Sequence, residues 1–189
     1  MGYVWYVGYG SNIHEQRFLC YTKGGTPRFG KRCNKGCTDK TLPVEKRPMT
    51  INYPLYFALP DKETKTSNWG DGGVAFIDPR EDKRLKTLCR MWKITKGQYD
   101  EVKAQEGRSW YGKELRLGEE DETPVCTITH DPVLKNIIRP SDAYIKTIAL
   151  GLTEAYPFTS EEIVDYLLEK TGIKGILQED EMRRIVTSL

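Results

Sequence analysis

The start of the chain constrains the fold most, because it combines a short apolar run with a glycine turn and a helix start. Residues 3–7 are all β-branched or aromatic and too few for a buried helix, so they predict a core strand. Gly10 allows a sharp turn, and Asn12 with Glu15 three residues later predicts a helix N-cap. We therefore expect strand, turn and helix in immediate succession.

The predicted turn has a chemical consequence. It leaves backbone N–H groups without partners at the positive end of the helix dipole, where they can bind a carboxylate. The same groups can stabilise the oxyanion of an acyl-transfer intermediate. An ordinary helix cap has the same sequence pattern, so the turn alone leaves both interpretations open.

The charge balance and the length bound the class of protein. The chain has 189 residues, of which 29 are basic and 27 acidic, so its net charge of +2 predicts neither nucleic acid nor an anionic membrane as a partner. It contains no apolar run long enough for a membrane span and no secretion-signal pattern, so we expect a cytoplasmic protein. One domain is predicted, with a long loop at residues 23–48 and a C-terminal helical extension at residues 172–189.

The segment 23–48 is rich in Gly, Pro, Lys and Arg and has no periodicity, which is typical of a lid or a binding loop. Cys33 and Cys37 have a spacing that zinc sites permit, but no second close pair follows. The five cysteines are an odd number in a chain without an export signal, which argues against a disulfide framework. We expect free thiols and no metal site.

The middle of the chain shows strand patterns. Apolar residues alternate between 49 and 59, which predicts one strand, and Pro54 places it at a sheet edge or a bulge. Residues 60–71 are polar and predict a loop. Together the patterns indicate a compact sheet or barrel of short strands. The other predicted strands are 74–77, 88–94, 110–118 and 123–129. Two later helices are predicted as well: one is capped by Ser141 and has an apolar stripe of Tyr144, Ile145, Ile148 and Leu152, and the other runs from a capping box at Thr159 to Gly172.

A capping box that begins at Thr95 and a stop signal at Gly107 predict a helix. Tyr99, Val102 and Glu106 fall on one face of it, the face expected to meet the core. A carboxylate there is unusual, because burying an unpaired charge is unfavourable. Such a carboxylate at the negative end of the helix dipole is suited to proton transfer. The spacing is equally compatible with a solvated glutamate.

Several short motifs, in this order and spacing, resemble the gamma-glutamylcyclotransferase family. They are Tyr-Gly-Ser-Asn at residues 9–12, Gly-Gly-Val-Ala at 72–75, Gln-Glu-Gly at 105–107, Ser-Asp-Ala-Tyr-Ile-Lys at 141–146 and Leu-Gly at 150–151. The resemblance extends over residues 3–168. It implies an α+β fold in which a small mixed, mostly antiparallel β-barrel or sheet is flanked by helices.

The resemblance also implies a reaction. Family members cleave gamma-glutamyl amides by cyclisation and release 5-oxoproline and a free amine. The substrate's own α-amine attacks its γ-carbonyl, so the reaction needs no protein nucleophile and no cofactor, and the enzyme supplies a near-attack geometry. By this resemblance Glu106 is the catalytic acid/base. The implied substrate-binding residues are Tyr9, Gly10, Ser11, Asn12, Ile13, Tyr111 and Tyr144.

The implied roles differ between these residues. Backbone N–H groups of residues 10–13 would hold the glutamyl head, and the hydroxyls of Tyr9 and Tyr144 would bind carboxylate or carbonyl oxygens. Tyr111 aligns less well with its family counterpart, and Tyr144 also fits ordinary helix packing. The long loop stands where a pocket wall is expected, so the leaving amine stays open between an amino acid, a polyamine, a protein lysine and an aminoglycoside. Specificity for glutathione, which some family members have, stays open as well.

Two other classes of function are compatible with the sequence. Ser11 could be the nucleophile of a hydrolase or acyltransferase, but neither His14 nor His130 stands in an obvious triad context. A catalytically silent protein that binds gamma-glutamyl or amine ligands is the other alternative. The preferred hypothesis predicts a small-molecule gamma-glutamyl substrate, and it leaves a homodimer open.

Overall fold

The computed structural model describes residues 2–60 and 66–189, so residues 61–65 of the predicted 60–71 loop lie outside the described residues. No helix in these ranges is both long and apolar enough to cross a bilayer. The elements are, in chain order, β1 (Tyr3–Gly8), α1 (Glu15–Lys23), β2 (Glu45–Ile51), β3 (Leu55–Ala58), β4 (Thr66–Ser67), β5 (Gly70–Asp71), β6 (Val74–Ile77), β7 (Thr87–Thr95), α2 (Lys96–Glu106), β8 (Lys113–Glu120), β9 (Thr123–Thr129), α3 (Asp142–Ala155), α4 (Ser160–Leu168) and α5 (Glu179–Thr187).

The predicted first strand, β1, is the middle strand of a five-stranded sheet with the order β2-β7-β1-β9-β8. It pairs antiparallel with β7 and parallel with β9, while the other pairs of this sheet are antiparallel. β3 and β6 pair in a second, two-stranded antiparallel sheet. The fold is therefore α+β with a mixed, mostly antiparallel sheet, which confirms the fold class that the resemblance implies.

The side chains of β1 are divided between two apolar cores, because successive side chains of a strand point to opposite faces of the sheet. Trp5 and Val7 pack on one face with β3, β6 and the three C-terminal helices. Val4 and Tyr6 pack on the other face with side chains of α1 and α2. The predicted apolar stripe of α3 is buried in the first core and consists of Tyr144, Ile145, Ile148 and Leu152. The turn after β1 adds Tyr9 and Ile13 to the first core.

The prediction of a single strand over residues 49–59 is wrong. β2 ends at Ile51 and β3 begins at Leu55, and the two strands belong to different sheets. Pro54 lies between them, where its carbonyl accepts a hydrogen bond from the backbone N–H of Asp78 at 2.9 Å. All four residues of β3 are buried, so the apparent alternation joins the ends of two strands across a turn.

The long loop is shorter than predicted and spans residues 24–44, because α1 continues through Lys23 and β2 begins at Glu45. Pro48 is tolerated in β2 because this edge strand pairs only with β7. The loop docks onto α2, where Gln98 Nε2 donates to the carbonyl oxygens of Asp39 and Thr41 at 3.1 and 2.9 Å. The loop is thereby fixed next to the helix that ends in Glu106.

The C-terminal segment 172–189 contains α5. Its residues Met182, Ile185 and Val186 are buried in the first core. The preceding helix, α4, begins with the predicted capping box at Thr159 but ends at Leu168, short of the predicted stop at Gly172. The C-terminal helix is therefore integrated into the packing around α3 and α4.

Candidate active site

A cavity of about 580 Å³ opens where β1 runs into α1. Its walls come from the turn after β1, α1, the 24–44 loop, the β4–β5 hairpin, β6, the end of α2, the segment before β8, β9 and α3. Most of the predicted site residues line it, namely Tyr9, Gly10, Ser11, Asn12, Glu106, Tyr111 and Tyr144. Ile13 does not, and its side chain is fully buried in the core.

The turn after β1 is a short 3₁₀ turn at Ser11–Ile13. The backbone N–H of Ile13 donates to the carbonyl oxygen of Gly10 at 3.1 Å. Contrary to the expectation for Ile13, this N–H is used within the turn and is not directed to a ligand. The preceding residues Gly10, Ser11 and Asn12 do line the cavity.

Asn12 is not the N-cap of α1, contrary to the sequence prediction. The N-cap is His14, which makes no side-chain capping bond. Asn12 Nδ2 donates instead to the Tyr6 hydroxyl at 2.8 Å and to Glu106 Oε1 at 2.7 Å. Its Oδ1 is buried and has no hydrogen-bond partner within the described ranges. The amide therefore ties the turn to the end of α2 and presents an unused acceptor.

Glu106 is half-buried at the C-terminal end of α2. The predicted capping box at Thr95 and the C-cap at Gly107 are both present, and Tyr99 and Val102 are buried as expected. The next residue back, Gln105, donates from Nε2 to the Tyr21 carbonyl at 2.9 Å and anchors the end of the helix to α1. Glu106 thus faces the cavity from a fixed helix end, in contact with Asn12.

Tyrosine hydroxyls surround the turn. Tyr144 Oη accepts the backbone N–H of Ala75 at 3.2 Å, and Tyr111 donates to the Ala75 carbonyl at 2.9 Å. Tyr9 donates to the Ile128 carbonyl at 2.7 Å. Burial raises the pKa of all three tyrosines, so each stays protonated at neutral pH. Tyr9 and Tyr111 already donate their hydroxyl protons to backbone carbonyl groups, whereas the Tyr144 hydroxyl accepts a hydrogen bond from Ala75. Tyr144 is therefore the better hydrogen-bond donor toward a ligand.

Two glycines allow the turn, β6 and α3 to meet. A Cβ on Gly10 would lie 2.7 Å from the Tyr144 hydroxyl oxygen and 2.8 Å from Ala75 Cβ. On α3, a Cβ on Gly151 would lie 2.4 Å from the backbone nitrogen of His14. Both distances are too short for carbon, so a larger residue at either position would displace the turn.

Arg17 and Tyr21 of α1 also line the cavity, although neither was predicted as a site residue. Arg17 Nη2 donates to the Tyr21 hydroxyl, and Arg17 Nη1 donates to Asn34 Oδ1 at 3.0 Å. A sequence signal existed, because Arg17 and Tyr21 are four residues apart in α1 and so share one side of that helix. Trp69 of the β4–β5 hairpin was missed as well, and its sequence neighbourhood carries no comparable signal.

Neither histidine is placed to act as a general base for Ser11. His14 Nδ1 lies 2.9 Å from Glu154 Oε1, and His130 Nδ1 lies 3.1 Å from the Trp110 carbonyl oxygen. Neither histidine lines the cavity as described. A serine nucleophile at Ser11 would therefore lack an imidazole base in this arrangement.

The positions of Cys33 and Cys37 bear on the possibility of a zinc site in the 24–44 loop. Cys33 is exposed, whereas Cys37 is buried with its Sγ 3.3 Å from the Tyr21 carbonyl oxygen. No disulfide joins any of the cysteines. Across residues 2–60 and 66–189, no three His, Cys, Asp or Glu side chains come together closely enough to hold a metal ion.

Comparison with known proteins gives two kinds of result. No family model matches the chain. Histone deacetylase 5 from Arabidopsis thaliana is 29% identical over an alignment of 202 positions, which spans 87% of this chain and only 30% of that protein. A solved structure of a gamma-glutamyl cyclotransferase is 18% identical with a TM-score of 0.58 and 99% coverage of both chains. An uncharacterised protein from Homo sapiens is 18% identical with a TM-score of 0.60 and the same coverage. The chain therefore has the fold of a gamma-glutamyl cyclotransferase.

Proposed function

We propose that this protein is a gamma-glutamylcyclotransferase that releases 5-oxoproline and a free amine from a gamma-glutamyl amide, with Glu106 as the acid/base. One observation carries the proposal: the 2.7 Å hydrogen bond between Asn12 Nδ2 and Glu106 Oε1. It joins a carboxylate to the turn that lines the cavity. The shared fold with a gamma-glutamyl cyclotransferase supports the same activity.

The reaction needs one proton-transfer group. The substrate's α-nitrogen forms a bond to the γ-carbonyl carbon, and the amide C–N bond breaks. The attacking nitrogen loses one proton and the leaving nitrogen gains one, so a single carboxylate can accept and return it. Glu106 occupies that role, and the unpaired Asn12 Oδ1 would accept an N–H of the attacking amine beside it.

The remaining groups would bind the glutamyl head and the developing negative charge. Backbone N–H groups of Gly10, Ser11 and Asn12 would face the carbonyl oxygen or the carboxylate of the substrate. The Tyr144 hydroxyl proton would reinforce them. Tyr9 and Tyr111 donate to protein carbonyls, so they would shape the wall and offer acceptor oxygens.

The test is the release of 5-oxoproline from a panel of gamma-glutamyl amides, measured by chromatography. The Glu106→Gln variant keeps the size and the hydrogen bond to Asn12 but cannot transfer a proton. We expect it to lower kcat at least about 100-fold with little change in thermal unfolding. The matched control is Asp100→Asn, an exposed carboxylate on the same helix, which should retain activity. A Glu106→Gln protein as active as the parent would refute the role of Glu106.

The same assay separates the alternatives. A parent protein that binds gamma-glutamyl ligands in calorimetry yet releases no 5-oxoproline from any amide would be a binding protein. A Ser11-dependent acyltransferase would lose turnover in Ser11→Ala, whereas a cyclotransferase keeps most of it. Covalent labelling of Ser11 would support the acyltransferase.

A further inference from the structure

The cavity wall formed by α1 and the 24–44 loop contains a buried cation. Arg17 is only 5% exposed. Its hydrogen-bond partners are neutral, the Tyr21 hydroxyl and Asn34 Oδ1, and none of the described carboxylates lies within ion-pair distance of it. Its Nε is buried without a partner. Glu106 stabilises the charge of Arg17 electrostatically without direct contact, and the Tyr21 hydroxyl interacts with both side chains. Because a buried charge without a directly paired counter-ion is unfavourable, this arrangement favours an anion that completes the site.

The guanidinium is also held in place before any ligand arrives. Its Cζ lies 4.1 Å from the centroid of the Tyr21 ring and 5.5 Å from that of Trp69. The Asn34 side chain fixes one end of the fork. A group fixed in this way loses little conformational entropy on binding, and a planar fork of N–H donors matches the two oxygens of a carboxylate.

The charge of the lining points in the same direction. The charged residues among the described lining are Arg17, Arg32 and Glu106. Glu106 is bound by Asn12 and, on the proposed function, is engaged in proton transfer. The cations therefore outnumber the anions in this cavity, which favours an anionic ligand and disfavours a cationic one.

We propose that Arg17 binds a carboxylate group of the substrate. The inference rests on the proposed function and deepens it by assigning the chemistry that the loop-side wall recognises. A gamma-glutamyl amide can offer this group from two places, the α-carboxylate of the glutamyl head or a carboxylate on the leaving amine. Suitably shortened substrates distinguish these two sources.

The experiment uses substrates that differ in one carboxylate. Gamma-glutamyl-alanine carries both groups, gamma-glutamyl-ethylamide lacks the one on the leaving amine, and 4-aminobutanoyl-alanine lacks the α-carboxylate and cyclises to 2-pyrrolidinone. For Arg17→Gln we expect KM for gamma-glutamyl-alanine to rise about 10-fold to 100-fold, with kcat changed less than about threefold. The KM rise should disappear on the substrate that lacks the carboxylate bound by Arg17.

Two further variants keep the test sharp. Arg17→Lys retains the charge but loses the planar fork, so its KM should lie between those of the parent and Arg17→Gln. If thermal unfolding shows that the Arg17→Gln protein is not folded, Arg17→Lys takes its place in the experiment. Arg32→Gln removes the exposed cation of the same wall and should change KM less than Arg17→Gln does.

Some outcomes would overturn the proposal. An equal rise in KM on all three substrates shows that no particular carboxylate is involved. A fall in kcat at unchanged KM shows that Arg17 acts on Glu106 through Tyr21 instead of on the substrate.

A binding measurement separates this proposal from the proposed function. Gamma-glutamyl-alanine is titrated by calorimetry into Glu106→Gln and into the double variant with Arg17→Gln, where Kd should weaken by the same factor as KM. If the parent releases no 5-oxoproline but the double variant still loses affinity, the cyclotransferase function fails and the role of Arg17 stands. If turnover is normal and neither KM nor Kd responds to Arg17→Gln, the role of Arg17 fails alone.

Discussion

The two sides of the cavity are built differently. The turn at residues 10–13 is fixed from behind, where Trp92 Nε1 donates to the Asn12 carbonyl at 2.9 Å and Arg90 Nη1 donates to the Ile13 carbonyl at 3.2 Å. The facing 24–44 loop has no strand or helix and one isolated bridge, between Gly25 and Asn34. Side chains of the sheet strand β7 therefore fix the turn, whereas the loop is fixed by scattered backbone and side-chain hydrogen bonds outside any strand or helix.

This difference separates two tasks. Groups that stabilise a transition state must keep their geometry within a fraction of an ångström, which a turn supported by a sheet can provide. Residues that select a substrate can sit on an irregular segment carried by a rigid scaffold. Under the proposed function, changes to the turn side should lower kcat, and changes to the loop side should raise KM.

The strongest test of the turn side is Gly151→Ala on α3. The new Cβ would lie 2.4 Å from the His14 nitrogen and 2.6 Å from the Ile13 carbonyl carbon, and backbone atoms cannot rotate away. We expect a loss of about 1–3 kcal/mol in unfolding free energy and, because the turn shifts, a fall in kcat of about 100-fold. Thermal unfolding and 5-oxoproline release measure the two effects.

The matched control is Gly97→Ala in α2, where the nearest atom to the new Cβ is Thr95 Oγ1 at 4.0 Å. It should be neutral or stabilise the protein by up to about 1 kcal/mol, since alanine favours helix. A Gly151→Ala variant with the kcat of the parent would show that α3 does not position the turn. The contrast between the two sides would then lose its structural basis.

The same contrast explains what the sequence could and could not predict. β1, the capping box at Thr95 and the apolar stripe of α3 depend on local patterns, and all three were predicted. Asn12 was mistaken for an N-cap because its partners, Tyr6 and Glu106, reach it only through the packing of β1 and α2. The local sequence favours Asn12 as a helix cap, but in the folded protein its side chain hydrogen-bonds to Tyr6 and Glu106 instead.

The contacts on the loop side could not be predicted from local sequence patterns, for a different reason. The partner of Arg17 on that side, Asn34, lies in a segment without periodicity, so nothing in the sequence pairs them. The 49–59 pattern failed similarly, because the chain leaves one sheet and enters another between Ile51 and Leu55. Elements fixed by side chains from distant segments need coordinates to be found.

A weaker test of the turn side uses pH. Burial raises the pKa of Glu154, but hydrogen bonds from His14 and from the backbone N–H of Glu15 lower it more, and the charge of Arg90 adds to that effect. A carboxyl whose pKa is lower in the folded state stabilises the protein above its unfolded pKa, and this contribution is lost as the pH falls through the folded pKa.

We therefore expect Glu154→Gln to unfold more easily than the parent at pH 7, by about 1 kcal/mol, with the difference shrinking as the pH falls below about 4. Denaturant melts at several pH values measure it. The control is Glu161→Gln, an exposed carboxylate paired with Arg183, whose smaller effect should vanish in high salt. A Glu154 effect that is independent of pH would exclude the ionised carboxylate as the support behind the turn.

The smallest expected effect tests the loop side through Asn34→Ala. The substitution removes the 3.0 Å bond to Arg17 Nη1 but keeps both backbone hydrogen bonds between residue 34 and Gly25. Tyr21 and Trp69 still hold the guanidinium, so only its orientation loosens. We expect KM for gamma-glutamyl-alanine to rise about 2-fold to 5-fold at constant kcat.

A double-mutant cycle shows whether Asn34 acts through Arg17, because the effects of substitutions at two residues that act through one contact are not additive. If Asn34 acts only by orienting Arg17, Asn34→Ala should add nothing to the KM of Arg17→Gln. Additive effects would mean that Asn34 contacts the substrate independently. A fall in kcat for Asn34→Ala as large as its rise in KM would be the more serious result, because the loop side would then share in the chemistry and the division between the two sides of the cavity would be wrong.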